Sequence, residues 1–287
     1  MNLFKFRKIL IPILFVSLFI TFPSCSPPVS IKSEQQELST AQELIENMKF
    51  YKTTNLGHEG DLYQHSIWTA LNTHKWFDEG NEWCEGLTEK DKKIAVLTGF
   101  LHDTGKAGDL EFTFLAKPAH PQIGFDYLIG NKEYKIDEHR TFNFDKFFHT
   151  LKIPEEDRKL IAILVCNHHE FGTYVCNNYK EGEDNQLVFK NFIEKLSQLA
   201  QQIDYNCGRI TKRVINLSVF IASTDIKAIS HVDYKSSILE EFIGIDGSDT
   251  ARVRSAESFY EILKHEDTKK VRVELLEYFE THFAQPD

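Results

Sequence analysis

The chain has 287 residues, 41% of them hydrophobic and 26% charged, with 14 Gly and 8 Pro spread thinly. That suffices to bury a sizeable core in one or two domains and excludes a collagen-like or broadly disordered chain. The 33 Lys and Arg face 43 Asp and Glu, a formal charge of −10, and three of the cations lie in a leader without acids, so a groove that neutralises a polyanion is not expected.

In that leader Lys5, Arg7 and Lys8 precede an apolar run from Ile9 to Phe22, interrupted by Pro12 and short for a spanning helix. A positive start, a short apolar middle and Ser24 before Cys25 resemble a bacterial lipoprotein signal. Residues 1–24 would then be removed and Cys25 acylated, giving an exported, membrane-anchored protein of the cell envelope. Phe22 stands where such signals usually carry Leu, and a plain secretory peptide or a retained anchor are the alternatives. Setting Cys25 aside leaves Cys84, Cys166, Cys176 and Cys207, which show no CxxC or CxxH spacing and read as core residues or disulfide partners of undetermined pairing.

The polar stretch 25–39 reads as a linker, and 40–287 as a single all-α domain. Ser39-Thr40 opens a short helix towards Tyr51. Asp61 and Gln64 form a capping pair for a helix running to Phe77, and Thr88 and Asp91 do the same for one whose face is Ile94, Leu97 and Leu101. Pro154 followed by Glu155, Glu156 and Asp157 starts a helix with the stripe Leu160, Ile161, Leu164 and Val165. A long helix is expected over Arg209 to Ala228. After Asp249, Phe259, Ile262 and Leu263, then Leu275, Leu276 and Phe279, read as packing helices. Stretches 131–145 and 177–188 read as surface loops, and strand-like alternation is scarce.

The chemistry lies in histidines and a few acids. His102-Asp103 closes a helix, with Gly105 where a left-handed cap is expected. An acid at a helix C-terminus is repelled by the macrodipole, and a bound cation would reverse that penalty. Asp225 continues the core stripe Ile210, Val214, Leu217 and Ile221, where an unpaired carboxylate would cost several kcal/mol. A buried Arg or Lys is the plain explanation for it; a shared metal ion is the sharper one. His65 sits one turn into its helix, His120 stands at a helix entrance before Pro121, and His168-His169 ends the helix of Leu160 to Val165. Imidazole and carboxylate ligands suit Mn, Fe, Zn or Mg, and two metals need about this many ligands.

His65, then Leu101-His102-Asp103-Thr104-Gly105-Lys106, then Asp225 resemble the His…His-Asp…Asp pattern of the HD-domain metal-dependent phosphohydrolases. The resemblance spans about residues 55–230. Gly57-His58-Glu59-Gly60-Asp61-Leu62-Tyr63-Gln64-His65 is similar to the first-ligand segment in the HD region of bacterial tRNA nucleotidyltransferases. His120, His168 and His169 resemble the extra ligands of two-metal members such as the HD-GYP cyclic-dinucleotide phosphodiesterases. Phe171-Gly172-Thr173-Tyr174 replaces the Gly-Tyr-Pro signature, and no nucleotidyltransferase head is present, so neither specificity carries over.

The resemblance implies an all-helical HD bundle that hydrolyses a phosphomonoester or phosphodiester, mostly in nucleotides, with water activated by one or two divalent ions. His65, His102, Asp103 and Asp225 would hold the first ion, and Asp103 would bridge to a second held by His120, His168 and His169. Lys106 would neutralise phosphoryl oxygens; a lysine pairing with the helix dipole is the alternative. His58 would face the substrate or lie in a loop, and Arg209, Lys212 and Arg213 read as a solvated basic face. The expected partners are a small phosphorylated substrate and the membrane through the lipid anchor, with the oligomeric state open. An inactive HD-fold scaffold lipoprotein is the rival from another class; HExxH and G-x-S-x-G motifs are absent.

Overall fold

Capping chemistry starts the helices. Thr40 accepts from Glu43 N while the Glu43 carboxylate takes Thr40 N at 2.8 Å, which opens α1 (Ala41–Met48). Thr88 and Asp91 repeat the device at α3 (Glu89–Leu101), with Thr88 N donating to Asp91 Oδ2 at 2.8 Å. Each pairing satisfies two backbone donors that a helix start leaves open. Pro154 caps α6 (Glu155–Asn167), whose first turn carries Glu155, Glu156 and Asp157 as expected.

The computed structural model describes residues 36–49, 62–107, 120–227 and 265–283. The further helices among them are α2 (Leu62–Asp78), α4 (His120–Leu128), α5 (Phe144–Thr150), α7 (Gln186–Gln202), α8 (Lys212–Lys227) and α9 (His265–His282). The protein is mostly helical, as expected of an all-α bundle. The leader with Cys25, Asp61, Ala228, Phe259, Ile262 and Leu263 lie outside the described residues.

Helices α2, α3, α6 and α8 form the heart of the bundle. Leu160, Ile161, Leu164 and Val165 are wholly buried, and so are Ala162 and Ile163, so the middle of α6 is enclosed on every side. A Cβ added at Gly99 would lie 3.2 Å from Ala70 N, so the α2 and α3 backbones approach closely. That approach draws His65 towards the end of α3.

Three expectations are corrected. Stretch 131–145 is not a plain loop: β2 (Tyr134–Lys135) runs antiparallel to β3 (Arg140–Phe142), and α5 starts at Phe144. On its other side β3 pairs in parallel with β1 (Gln36–Leu38), inside the stretch read as a linker. Aromatic burial holds this small sheet, since Tyr134, Phe142 and Phe144 pack edge to face and the Tyr134 hydroxyl donates to Asn47 Oδ1 at 2.6 Å. Strands this short have too few residues to show alternation. Second, α8 begins at Lys212, so Arg209 and Ile210 precede it, although Val214, Leu217 and Ile221 are fully buried as expected. Third, the basic residues there are not all merely solvated. Lys212 pairs with Glu280 of α9, and Arg213 Nε donates to Asp91 Oδ1 at 2.5 Å, while Arg209 is exposed.

Leu275 and Phe279 of α9 are buried, as their pattern predicts. Cys84, Cys166, Cys176 and Cys207 are free thiols, and burial pushes the first three up to about 12, which leaves them unreactive as nucleophiles near neutral pH. Among the described residues no helix is long and apolar enough to cross a membrane.

Candidate metal centre

Two helix ends supply the middle of the cluster. His102 is the C-cap of α3 and His168 the C-cap of α6. Each ring places Nδ1 2.7 Å from the carbonyl three residues back, Gly99 for His102 and Val165 for His168. With Nδ1–H donated to that carbonyl, each imidazole is fixed in orientation and turns Nε2 inward. Asp103 and His169 are the residues that follow. His65 comes from the first turn of α2, His120 opens α4, and Asp225 lies near the end of α8.

All seven expected ligands therefore meet, although five helices carry them. His65 Nε2 is 2.8 Å from Asp225 Oδ1 and 3.7 Å from Asp103 Oδ2. His102 Nε2 is 3.1 Å from His65 Nε2, 3.2 Å from Asp225 Oδ1 and 3.4 Å from Asp103 Oδ2. The other oxygen of Asp103 faces a second group, with Oδ1 3.0 Å from His120 Nε2 and 3.7 Å from His168 Nε2. His169 completes that group, each of its ligand atoms within 4.8 Å of the others. Its Nε2 also lies 3.9 Å from Asp225 Oδ2.

These spacings fit bound cations. Metal–ligand bonds of about 2.1 Å put neighbouring ligand atoms about 3.0 Å apart in an octahedron and about 3.4 Å apart in a tetrahedron. Burial agrees: His102 and Asp103 are wholly enclosed, and Asp225 is 7% exposed. His168 Nε2 is buried without a hydrogen bond of its own, a costly state that a cation beside it would relieve. His169 is the open member, with its side chain 38% exposed. Lys106 reaches the cluster from the side, its Nζ 2.6 Å from Asp103 Oδ2.

Charge is concentrated here. Burial alone would raise the Asp103 carboxyl, but Lys106 and His102 hold it well below the usual range. Burial would likewise raise Asp225, and His102 and His65 hold it well down. For His102, burial pushes down and the carboxylates of Asp103 and Asp225 outweigh it, so the ring is pushed up to about 10. Burial, with neighbouring rings, keeps His168 well below its ordinary value. Burial lowers His169 to about 4, against the pull of Asp225.

A pH dependence follows. With His102 pushed up to about 10, the metal-free ring holds a proton through the neutral range, which a cation must displace to reach the ring nitrogen. Apparent affinity for a divalent ion should therefore rise with pH across the neutral range, and binding should release a proton. Calorimetric titrations of Mn2+ in buffers of different ionisation enthalpy measure that proton directly. An apparent affinity flat from pH 6 to 9 would contradict it.

Gly105 corrects one expectation. It does not adopt the left-handed cap but lies in a single 3-10 turn, Thr104–Lys106. Its missing side chain matters instead for packing, since a Cβ there would lie 1.9 Å from His120 O and 2.6 Å from Gly124 N. The start of α4 thus rests directly on the His-Asp turn, which is how His120 gets within reach. Gly124 was not legible as part of the site, because nothing in its local sequence marks which backbone will press on it.

The family model for the HD domain matches residues 62–205, just over half of the chain. The protein belongs to the HD domain family. The matched span holds His65, His102, Asp103, His120, His168 and His169, and Asp225 lies beyond it. HD domains are in general metal-dependent hydrolases of the phosphohydrolase superfamily, and the buried His/Asp cluster of this HD domain is compatible with divalent metal. Comparison with curated proteins and with solved structures gave no match. Nothing in these comparisons supports a specific likeness to tRNA nucleotidyltransferases. His58 lies outside the described residues.

Proposed function

We propose that this HD domain hydrolyses a phosphomonoester or phosphodiester, of nucleotide type, using water and one or two divalent ions among Mn, Fe, Mg and Zn. The observation that carries the proposal is Asp103, a buried carboxylate with Oδ2 among His65, His102 and Lys106 and Oδ1 beside His120 and His168. His65, His102, Asp103 and Asp225 would hold one ion; Asp103, His120, His168 and His169 would hold the other.

Divalent ions at such a site supply Lewis acidity and lower the pKa of water towards neutrality. The chain's own groups do the rest. Nδ1 contacts to Gly99 and Val165 keep the His102 and His168 rings from rotating when a ligand arrives. The enclosing helices exclude bulk water, which strengthens every charge interaction inside. Lys106, part-exposed beside Asp103, would neutralise charge that grows on the phosphoryl oxygens in the transition state. His169, on the solvent side, borders the approach to the cluster. The charge of bound divalent ions would draw in a phosphate ester despite the acidic chain.

Export and anchoring at Cys25 belong to the same proposal and rest on the leader alone, as does contact with the membrane. The mass of the mature N-terminus tests them. An inactive scaffold loses ground because every ligand position of the pattern is filled.

The test is metal analysis of the purified protein, then a screen of phosphate esters with Mn2+, Fe2+, Mg2+ and Zn2+. Two ions per chain and turnover of a chromogenic phosphodiester are expected, and His102→Ala should lose both with its helix content kept. No metal and no turnover would replace the enzyme by the scaffold.

A further inference from the structure

Helix α8 delivers Asp225, and hydroxyls interrupt its buried face just before it. Thr224 donates to Ile221 O at 3.1 Å within its own helix. Its oxygen also accepts from Thr73 Oγ1 of α2, at 3.1 Å. Thr73 Oγ1 lies 2.8 Å from Thr69 O as well, and Thr69 Oγ1 donates to His65 O at 3.1 Å. One hydroxyl carries one proton, so that of Thr73 is shared between Thr69 O and Thr224 Oγ1. A line of hydroxyls thus joins the carbonyl of one expected ligand, His65, to the neighbour of another, Asp225.

Thr69, Thr73 and Thr224 all have 0% exposure. Valine would fill the same space there without a polar group to satisfy, so packing alone does not ask for threonine. Further back on α8, Ser218 accepts from Asn167 Nδ2 at 2.7 Å, and Asn167 immediately precedes His168. Polar contacts therefore tie α8 to the two helices that carry His65 and His168.

We infer that the Thr73–Thr224 contact is a positioning device that sets the register of α8 against α2, and so the point at which Asp225 meets His65 and His102. Hydrophobic side chains at a helix interface tolerate small slides, whereas a hydroxyl pair is directional. A slide of one residue is about 1.5 Å along a helix, enough to take Asp225 Oδ1 out of reach of both rings. This inference rests on the metal-binding reading above.

Mn2+ binding to the purified full chain tests it, with the visible absorption of Co2+ as a second readout of ligand geometry. Thr224→Val should weaken Mn2+ binding at least about tenfold, the lower end for partners that orient metal ligands. It should also alter the Co2+ band. Thr224→Ser should bind within about twofold of the parent, with both metal-free proteins melting alike. Thr73→Val reaches the same contact from the other helix and should behave as Thr224→Val does, so a folding failure of one variant leaves the other to decide. Parent-like Mn2+ binding by both valine variants, while His102→Ala binds none, overturns this inference and leaves the metal site standing. Serine no better than valine overturns it too. A parent that binds no Mn2+ overturns the metal site and this inference with it.

Discussion

Asp103→Asn should remove every bound divalent ion and lower phosphodiester turnover by about a thousandfold or more, while circular dichroism shows the same helix content. The side chain keeps its volume, so packing around this buried position survives while the charge and one acceptor oxygen are lost. Losing the carboxylate withdraws an anionic ligand from both groups at once, since one oxygen faces His65 and His102 and the other His120 and His168. The size of the rate loss follows from the several kcal/mol that metal ions supply in such reactions, about a factor of ten for each 1.4 kcal/mol. Lys106 loses its partner but is part-exposed and can turn to water, so the folded state suffers little. His102 loses a carboxylate that holds its proton, so the variant should also release less proton on any residual binding. Elemental analysis of metal content decides the matter: an Asn variant that keeps two ions would end the bridging role.

Among the glycines of the described residues, Gly105→Ala should be the most damaging substitution. The added carbon meets backbone, with His120 O at 1.9 Å, Gly124 N at 2.6 Å and His120 C at 2.9 Å, and backbone cannot swing aside as a side chain does. Helix α4 has to lift from the His-Asp turn, taking His120 with it. Overpacking of this kind costs about 1–3 kcal/mol and at times more. The expected result is a lower thermal midpoint and a drop from two bound ions to one, held by His65, His102, Asp103 and Asp225. Gly124→Ala is the informative comparison. Its nearest contact is the side-chain atom Val165 Cγ1 at 3.0 Å, so the neighbour can give and the loss should be smaller. Equal melting temperatures for Gly105→Ala and the parent would contradict the close approach.

Much of the site was legible because its members break local rules. Asp225 stands on an apolar stripe and Asp103 at a helix C-terminus, and each is an energetic anomaly that a reader of one sequence can see. His102 and His168 both follow strongly patterned helices, so their position at helix ends was also visible. What stayed hidden depends on partners far away in the chain. Gly105 looked like a turn residue because the carbonyl it makes room for belongs to His120, in another element. Thr73 and Thr224 carry no periodic signal and gain meaning only when α2 and α8 meet. The sheet was missed for the same reason: Gln36–Leu38 pairs with Arg140–Phe142 across about a hundred residues, and each strand is too short to announce itself.

The two imidazoles anchored to Gly99 and Val165 have a consequence for metal choice. Because helix-end carbonyls aim the rings, their orientation owes nothing to whichever ion each would hold. Such a socket is already assembled, and since imidazole and carboxylate suit several first-row divalent ions, metal availability rather than raw affinity governs which one is taken up. Which element the protein carries would then be decided by supply where it is loaded, and the same polypeptide recovered from iron-rich and manganese-rich cultures should differ in its inorganic content but not in its fold.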